Sequence, residues 1–317
     1  MAKWGYLFAM LFLLCLPNAH AGAAETRDNL PRLPGSVLLV SLPKDNLAVT
    51  SGSATFQIKG GGEWYVMPSI SADGNLIASA SSIPGDTAGR PKLIVGTFAI
   101  SENQWVQHKD LEIYYGAVAI TPDGSKLACL TGNSAGAPGQ LTILDLKSGK
   151  ITRGPKASDG AGPEISWSPD GRRIAFEKAF SDYHSEILVL DIETGQVSKI
   201  ASGRSPSWSP SGEWIMYYDQ SPRLASGEGG GHATNANRIC LTHPDGKDSR
   251  VLVTFHTDDD VSFPAVWSPD SRTVLIDRPQ DDAVNPRMDI YTLEVATGTF
   301  TRKFKKTSCV YGWVRAR

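Results

Sequence analysis

With 317 residues, a formal net charge of -2 and 41% hydrophobic residues, the chain can bury a substantial core. The near-balanced charge excludes the broad basic surface that draws a protein onto nucleic acid or anionic lipid. Four cysteines over this length exclude a small disulfide-stapled scaffold.

The N-terminus reads as a secretion signal. Lys3 precedes an uninterrupted apolar run from Leu7 to Leu16, Pro17 breaks it, and Ala19-His20-Ala21 offers the small residues a signal peptidase needs. The run is shorter than the roughly 20 apolar residues of a membrane span. Cleavage after Ala21 is therefore expected, giving a periplasmic or secreted chain with no remaining span. Cys129, Cys240 and Cys309 would remain. Residues 22–35, with Pro31 and Pro34, read as an extended lead-in to a single domain over 36–317.

From Ser36 onward, short β-branched segments follow one another between Gly, Pro, Asp and Asn, and no window carries a helical apolar stripe. One turn recurs: Ile70 to Gly74, Ile120 to Gly124, Trp167-Ser168-Pro169-Asp170-Gly171, Trp208 to Gly212, and Trp267 to Ser271. Proline sets φ at the corner, Asp bonds back to the backbone, and Gly takes the left-handed position. The fourth turn residues, at 73, 123, 170, 211 and 270, are spaced by 50, 47, 41 and 59. Such steps match a four-stranded, WD40-like propeller blade of roughly 40–50 residues. A second hairpin signal follows each turn, as at Asp145 to Gly149, Asp191 to Gly195, His243 to Gly246 and Glu294 to Gly298, with Ser101 to Asn103 standing in the first repeat.

Each repeat thus reads as strands A, B, C and D. Three further strands, Ser36 to Leu42, Asn46 to Thr50 and Thr55 to Lys59, precede the first turn, and Val310 to Val314 follows the last as a lone strand A. Joining them gives the expected fold: an all-β, six-bladed propeller of four-stranded antiparallel blades, its sixth blade closed by the N- and C-terminal strands.

These Trp-Ser-Pro-Asp-Gly repeats resemble those of the TolB-like propeller family over nearly all of residues 36–317. The resemblance covers the propeller portion, because only the lead-in stands where an N-terminal α/β domain would precede it. It implies a cell-envelope role with an envelope protein or a lipoprotein of the peptidoglycan layer as partner.

Antiparallel blades send the A–B and C–D turns to one end and the longer B–C and D–A loops to the other, where binding is expected. Tyr65, Tyr114, Tyr183, Arg204 and Arg278 are the candidate contact residues, since aromatic and Arg anchors dominate protein interfaces. The repeated tryptophans read instead as wedges between blades. No nucleophile-elbow motif occurs, and the glycine-rich stretch from Ser226 to His232 lacks the context of a phosphate cradle. The leading expectation is an exported, non-enzymatic, monomeric protein-binding propeller without a cofactor. The alternative is a metal-dependent enzyme acting on a polysaccharide as a lyase or hydrolase. It would assemble a divalent metal from His108, His184, His232 and His256, placed in or beside loops of the same end. The three mature cysteines fall in different blades, too far apart to pair, and should be free thiols.

Overall fold

The computed structural model describes residues 31–42, 46–58, 66–82, 93–113, 117–132, 139–158, 164–180, 184–219, 238–254, 262–279, 288–304 and 309–316. The secretion signal expected at the N-terminus lies outside them. Every regular element among the described residues is a strand, and no helix is long and apolar enough to cross a membrane.

The strands form six four-stranded antiparallel sheets. Blade 1 holds β4 (Val66–Ile70), β5 (Leu76–Ser82), β6 (Leu93–Ala99) and β7 (Gln104–Ile113). Blade 2 holds β8 (Ala119–Ile120), β9 (Lys126–Thr131), β10 (Gly139–Asp145) and β11 (Ile151–Ser158). Blade 3 consists of β12 (Ile165–Trp167), β13 (Arg173–Ala179), β14 (Ser185–Asp191) and β15 (Val197–Ser202). In blade 4 these positions belong to β16 (Arg204–Trp208), β17 (Ile215–Asp219), β18 (Arg238–Thr242) and β19 (Arg250–Thr254). Blade 5 comprises β20 (Ser262–Trp267), β21 (Thr273–Pro279), β22 (Met288–Glu294) and β23 (Phe300–Phe304).

The sixth blade closes as expected, in the order β24 (Val310–Arg315), β1 (Ser36–Leu42), β2 (Asn46–Ser51) and β3 (Ala54–Ile58). Its register runs from Ser36 opposite Arg315 to Val40 opposite Val310. The Ser41 amide also donates to the Cys309 carbonyl at 2.9 Å. Ahead of β1, Arg32 donates to the carbonyls of Gly52 and Ala54 at 2.8 and 2.7 Å, which pins the lead-in across the β2–β3 hairpin.

Alternation of side chains along each strand decides where the core sits. Ile174 and Phe176 face the seam with blade 2, while Ala175 between them faces the seam with blade 4. Six apolar clusters result, one at each seam of the ring. The tryptophans are part of this stitching. Trp167 Nε1 donates to the Ala119 carbonyl and Trp267 Nε1 to the Ser207 carbonyl, both at 3.1 Å and both in the preceding blade. Cys129, Cys240 and Cys309 are buried free thiols in blades 2, 4 and 6, and burial pushes Cys129 up to about 12.

At the A–B end the turns repeat one hydrogen-bond scheme. Ser168 Oγ donates to Asp170, the Arg172 amide donates to the same carboxylate oxygen, and the Arg173 amide donates to Ser168 Oγ. Ser71, Thr121 and Ser268 build the same arrangement around Asp73, Asp123 and Asp270. Gly171, at φ 65°, sits where an L residue would be strained. Successive turns also touch: the Ala72 amide donates to the Pro122 carbonyl at 2.8 Å, and the Ser211 amide to Ser271 Oγ at 2.9 Å.

Candidate functional site at the loop end of the channel

Strand A of every blade faces the ring axis, where a central cavity of about 240 Å³ is lined by residues of β4, β8, β12, β16, β20 and β24 and by residues just ahead of them. Its walls are mostly apolar or small, and Glu164 is the one charged residue among the described residues lining it. Glu164 immediately precedes β12, so it belongs to the end that carries the B–C and D–A loops.

A polar cluster surrounds that point. In the β12–β13 pairing Ile165 faces Phe176, which places Glu164 opposite Glu177, and the Glu177 amide donates to the Glu164 carbonyl at 3.4 Å. The two carboxylic side chains are only 8% and 9% exposed. Glu177 Oε1 accepts from Ser185 Oγ at 2.8 Å, and Oε2 accepts from the Ser205 amide at 3.2 Å. Burial raises the Glu177 carboxyl above the usual range, opposed by the Ser185 and Ser205 hydrogen bonds and by the nearby Arg204 guanidinium. Beyond Arg204, Asp219 pairs with Arg238 across β17 and β18 at 2.5 Å.

The backbone that enters β16 is sharply constrained. One residue, Gly203, links β15 to β16, whereas the D–A connections of the other blades are longer. Gly203 has φ 154°, and a Cβ there would collide with the Tyr218 carbonyl oxygen. Ser205, two residues on, has φ 55°. The β16–β17 register shifts between Arg204 and Ser207. Glu177 therefore grips a segment that is bent for its sequence, through the amide of a residue in the left-handed region.

Of the residues singled out from the sequence, Arg204 lies in this cluster. Arg278 lies in β21 opposite Asp289 of β22. Tyr65, Tyr114 and Tyr183 lie outside the described residues, as do His232 and His256. His108 is inside β7 rather than in the loop that follows it. Its Nε2 is 3.1 Å from Thr97 Oγ1 on β6, and burial lowers its pKa. His184 is exposed immediately ahead of β14 and stacks on Phe180, with ring centroids 4.3 Å apart. Those two histidines thus sit in different blades and different settings. Among the described residues, no group of three or more His, Cys, Asp or Glu is placed to hold a metal ion.

Glu164 and Glu177 were not among the expected site residues. A signal did exist. Three residues before the repeated Ile or Trp of strand A (Ile70, Ile120, Trp167, Trp208, Trp267 and Trp313), the other repeats carry Met67, Ala117, Ser205, Pro264 and Val310, so Glu164 is the charged exception.

No family profile matches the chain, and no curated protein is significantly similar to it in sequence. Solved structures do match. TolB from Acinetobacter baumannii superposes with a TM-score of 0.62 at 16% identity, covering 88% of this chain and 66% of that one. The present chain therefore spans just under two thirds of the length of that protein. A structure assigned as TolB from Agrobacterium tumefaciens gives 0.59 at 15% identity, covering 87% of this chain and 92% of that one. A chain of the nidogen–laminin complex gives 0.60 at 9% identity, over 89% and 99% of the respective chains. The blade count, the closure between β24 and β1 and these superpositions together establish the fold as a TolB-like six-bladed propeller.

Proposed function

We propose that this protein is an exported, non-enzymatic scaffold of the cell envelope. It works as a monomer in the periplasm, without a cofactor, and binds an envelope protein or lipoprotein on its loop end. The observation carrying this reading is the asymmetry of the ring. The turn end repeats one self-satisfied hydrogen-bond scheme, whereas the loop end carries Glu164 on the channel wall, Glu177 with Arg204 near it, and the Asp219–Arg238 pair. Two of the superposing structures are described as TolB and a third is a complex between two proteins, which supports protein binding as the use of the fold.

Arg204, Tyr183, Tyr65, Tyr114 and Arg278 are the contact residues of this proposal. Crosslinking of the tagged chain in its native envelope tests it. Recovery of a discrete envelope partner is expected, reduced roughly tenfold by Tyr183→Ala or Arg204→Ala, as for interface anchors. Arg172→Glu on the exposed turn end should leave recovery unchanged. Equal recovery from all three variants would place the partner elsewhere. N-terminal sequencing of the envelope fraction should begin at Gly22. Metal analysis should find no stoichiometric transition metal; finding one that is lost on replacing His184 and His232 would overturn the scaffold reading.

A further inference from the structure

The hydrogen bonds of the channel wall separate the polar groups that the fold uses from those it leaves over. Much of the main chain of the inner strands is spent. The Met67 carbonyl accepts the Val118 amide, and the Ala119 and Ser207 carbonyls accept the Trp167 and Trp267 indoles. Polar capacity remains on Ser69, Ser166 and Ser207, which line the cavity from blades 1, 3 and 4 and are half-buried. Ser69 Oγ accepts the Ile120 amide and Ser166 Oγ the Trp208 amide, each at 2.8 Å, so both keep an O–H donor and a second acceptor site. Ser207 differs: its O–H is given to the Ala265 carbonyl at 2.9 Å, and its oxygen keeps its acceptor sites. At the equivalent positions of blades 2, 5 and 6 stand Ala119, Val266 and Gly312, which carry no polar side chain.

From this pattern we infer that the cavity is a binding site for a neutral, hydroxyl-bearing ligand the size of a single six-carbon sugar. The ligand must accept from Ser69 and Ser166 and donate to Ser207, and a hydroxyl group does both. A carboxylate has no proton for Ser207, and an ammonium has no lone pair for Ser69 and Ser166. Either charge would also be stripped of water in a cavity walled largely by apolar and small residues. Its one charged residue among the described residues, Glu164, is already engaged. The C–H faces of a sugar ring match Val266 and the rings of Pro68 and Pro206, each of which adjoins one of the serines. At about 240 Å³ the cavity falls below the usual range for drug-sized ligands and suits a single ring rather than a chain of them. A free hexose and the end unit of a glycan share this chemistry. The inference stands apart from the protein-binding role proposed above.

Ligand-detected NMR of the purified protein at mildly acidic pH tests it. D-glucose, D-galactose and D-mannose serve as neutral probes, and D-glucosamine and D-glucuronate as charged ones. At least one neutral hexose should bind, roughly tenfold or more tightly than either charged analogue. The methyl glycoside of that hexose separates the two sources: equal binding identifies a glycan end, and exclusion identifies a free sugar. Ser166→Ala removes one hydrogen bond to the ligand and should weaken binding roughly three- to tenfold. That variant also uncovers the Trp208 amide and can cost stability. A second, Met67→Trp, keeps all three hydroxyls with their bonds, narrows the cavity and should abolish binding. The inference fails if no neutral hexose binds, if a charged analogue binds as well as the neutral one, or if either folded variant binds like the wild type. Because no protein partner is present in these titrations, their failure leaves the crosslinking result standing, and the reverse also holds.

Discussion

At the turn end of the ring, Asp270 is held below the ordinary aspartate value by the Ser268 hydroxyl and then by the Arg272 amide. Asp170 feels an opposing push from burial, but Ser168, Arg172 and Arg173 outweigh it. At the loop end Glu177 is shifted the other way, because burial outweighs Ser185, Ser205 and Arg204. Similar chemical groups in one ring are thus tuned in opposite directions. The turn end uses carboxylates to satisfy amides and fix the hairpins. The loop end buries carboxylates at a cost that hairpin formation does not require, and such a cost marks the region where a ligand is expected.

The largest contrast between the ends should come from one substitution made twice. Gly203→Ala forces a Cβ onto the Tyr218 carbonyl oxygen and should lower stability by about 2–3 kcal/mol. Gly171→Ala meets nothing closer than Thr121 Cγ2 at 3.5 Å, so only the left-handed conformation is penalised, at about 1 kcal/mol. Denaturant unfolding of the two variants measures both. If they lose the same amount, the strand junction at Gly203 is not specially constrained.

Hydrogen bonding at a turn sets the next effect. Asp270→Ala removes the acceptor for Ser268 Oγ and the Arg272 amide, at an expected cost of about 1 kcal/mol. The same comparison makes a pH prediction. A depressed carboxyl contributes stability that is present above its unfolded value and lost as pH falls through its folded value. Below the ordinary aspartate value of 3.8, stability should therefore drop, and the drop should be shallower in Asp270→Ala. Glu177 acts oppositely: the folded state holds its proton more tightly than the unfolded state does. Its contribution is present below the ordinary glutamate value of 4.5 and is lost as pH rises through the raised folded value. Glu177→Gln should flatten that slope without altering the acid limb. Melting temperature followed against pH for the wild type and both variants reads the two limbs separately.

Much of the turn end was legible in the sequence because its chemistry is local. Proline, Asp and Gly at successive positions specify a hairpin whatever surrounds them, and their recurrence counted the blades. Asn103 could be placed by the same logic: it takes φ 52° where the later repeats have glycine. Closure by β24 followed because a lone strand A at one terminus and three orphan strands at the other leave one economical pairing. The loop-end cluster was not legible in this way. Glu164 and Glu177 are 13 residues apart and meet only through the β12–β13 register, while Arg204 acts on Glu177 from another blade. His108 was misplaced because β7 runs for ten residues, so the histidine lies within the strand rather than beyond it.

The smallest predicted effect asks whether the turn scheme is transferable. The fourth turn has Ser211 where the others have Asp, and its bonds are longer: Ser209 Oγ lies 3.1 Å from Ser211 Oγ, and the Glu213 amide reaches that oxygen at 3.3 Å. In the third turn the corresponding separations are 2.5 and 3.0 Å. A carboxylate is the stronger acceptor and extends one bond further, so Ser211→Asp should shorten both contacts. The Ser211 amide already has its partner in Ser271 Oγ, and a side-chain change leaves that bond in place. Glu213 adjoins the new charge, and its repulsion offsets part of the gain. A net stabilisation of about 0.5 kcal/mol is expected, seen as a small rise in the denaturant midpoint at unchanged slope. A fall in the midpoint would mean that the fourth turn is adapted to serine, and that the repeat scheme cannot be exchanged freely between blades.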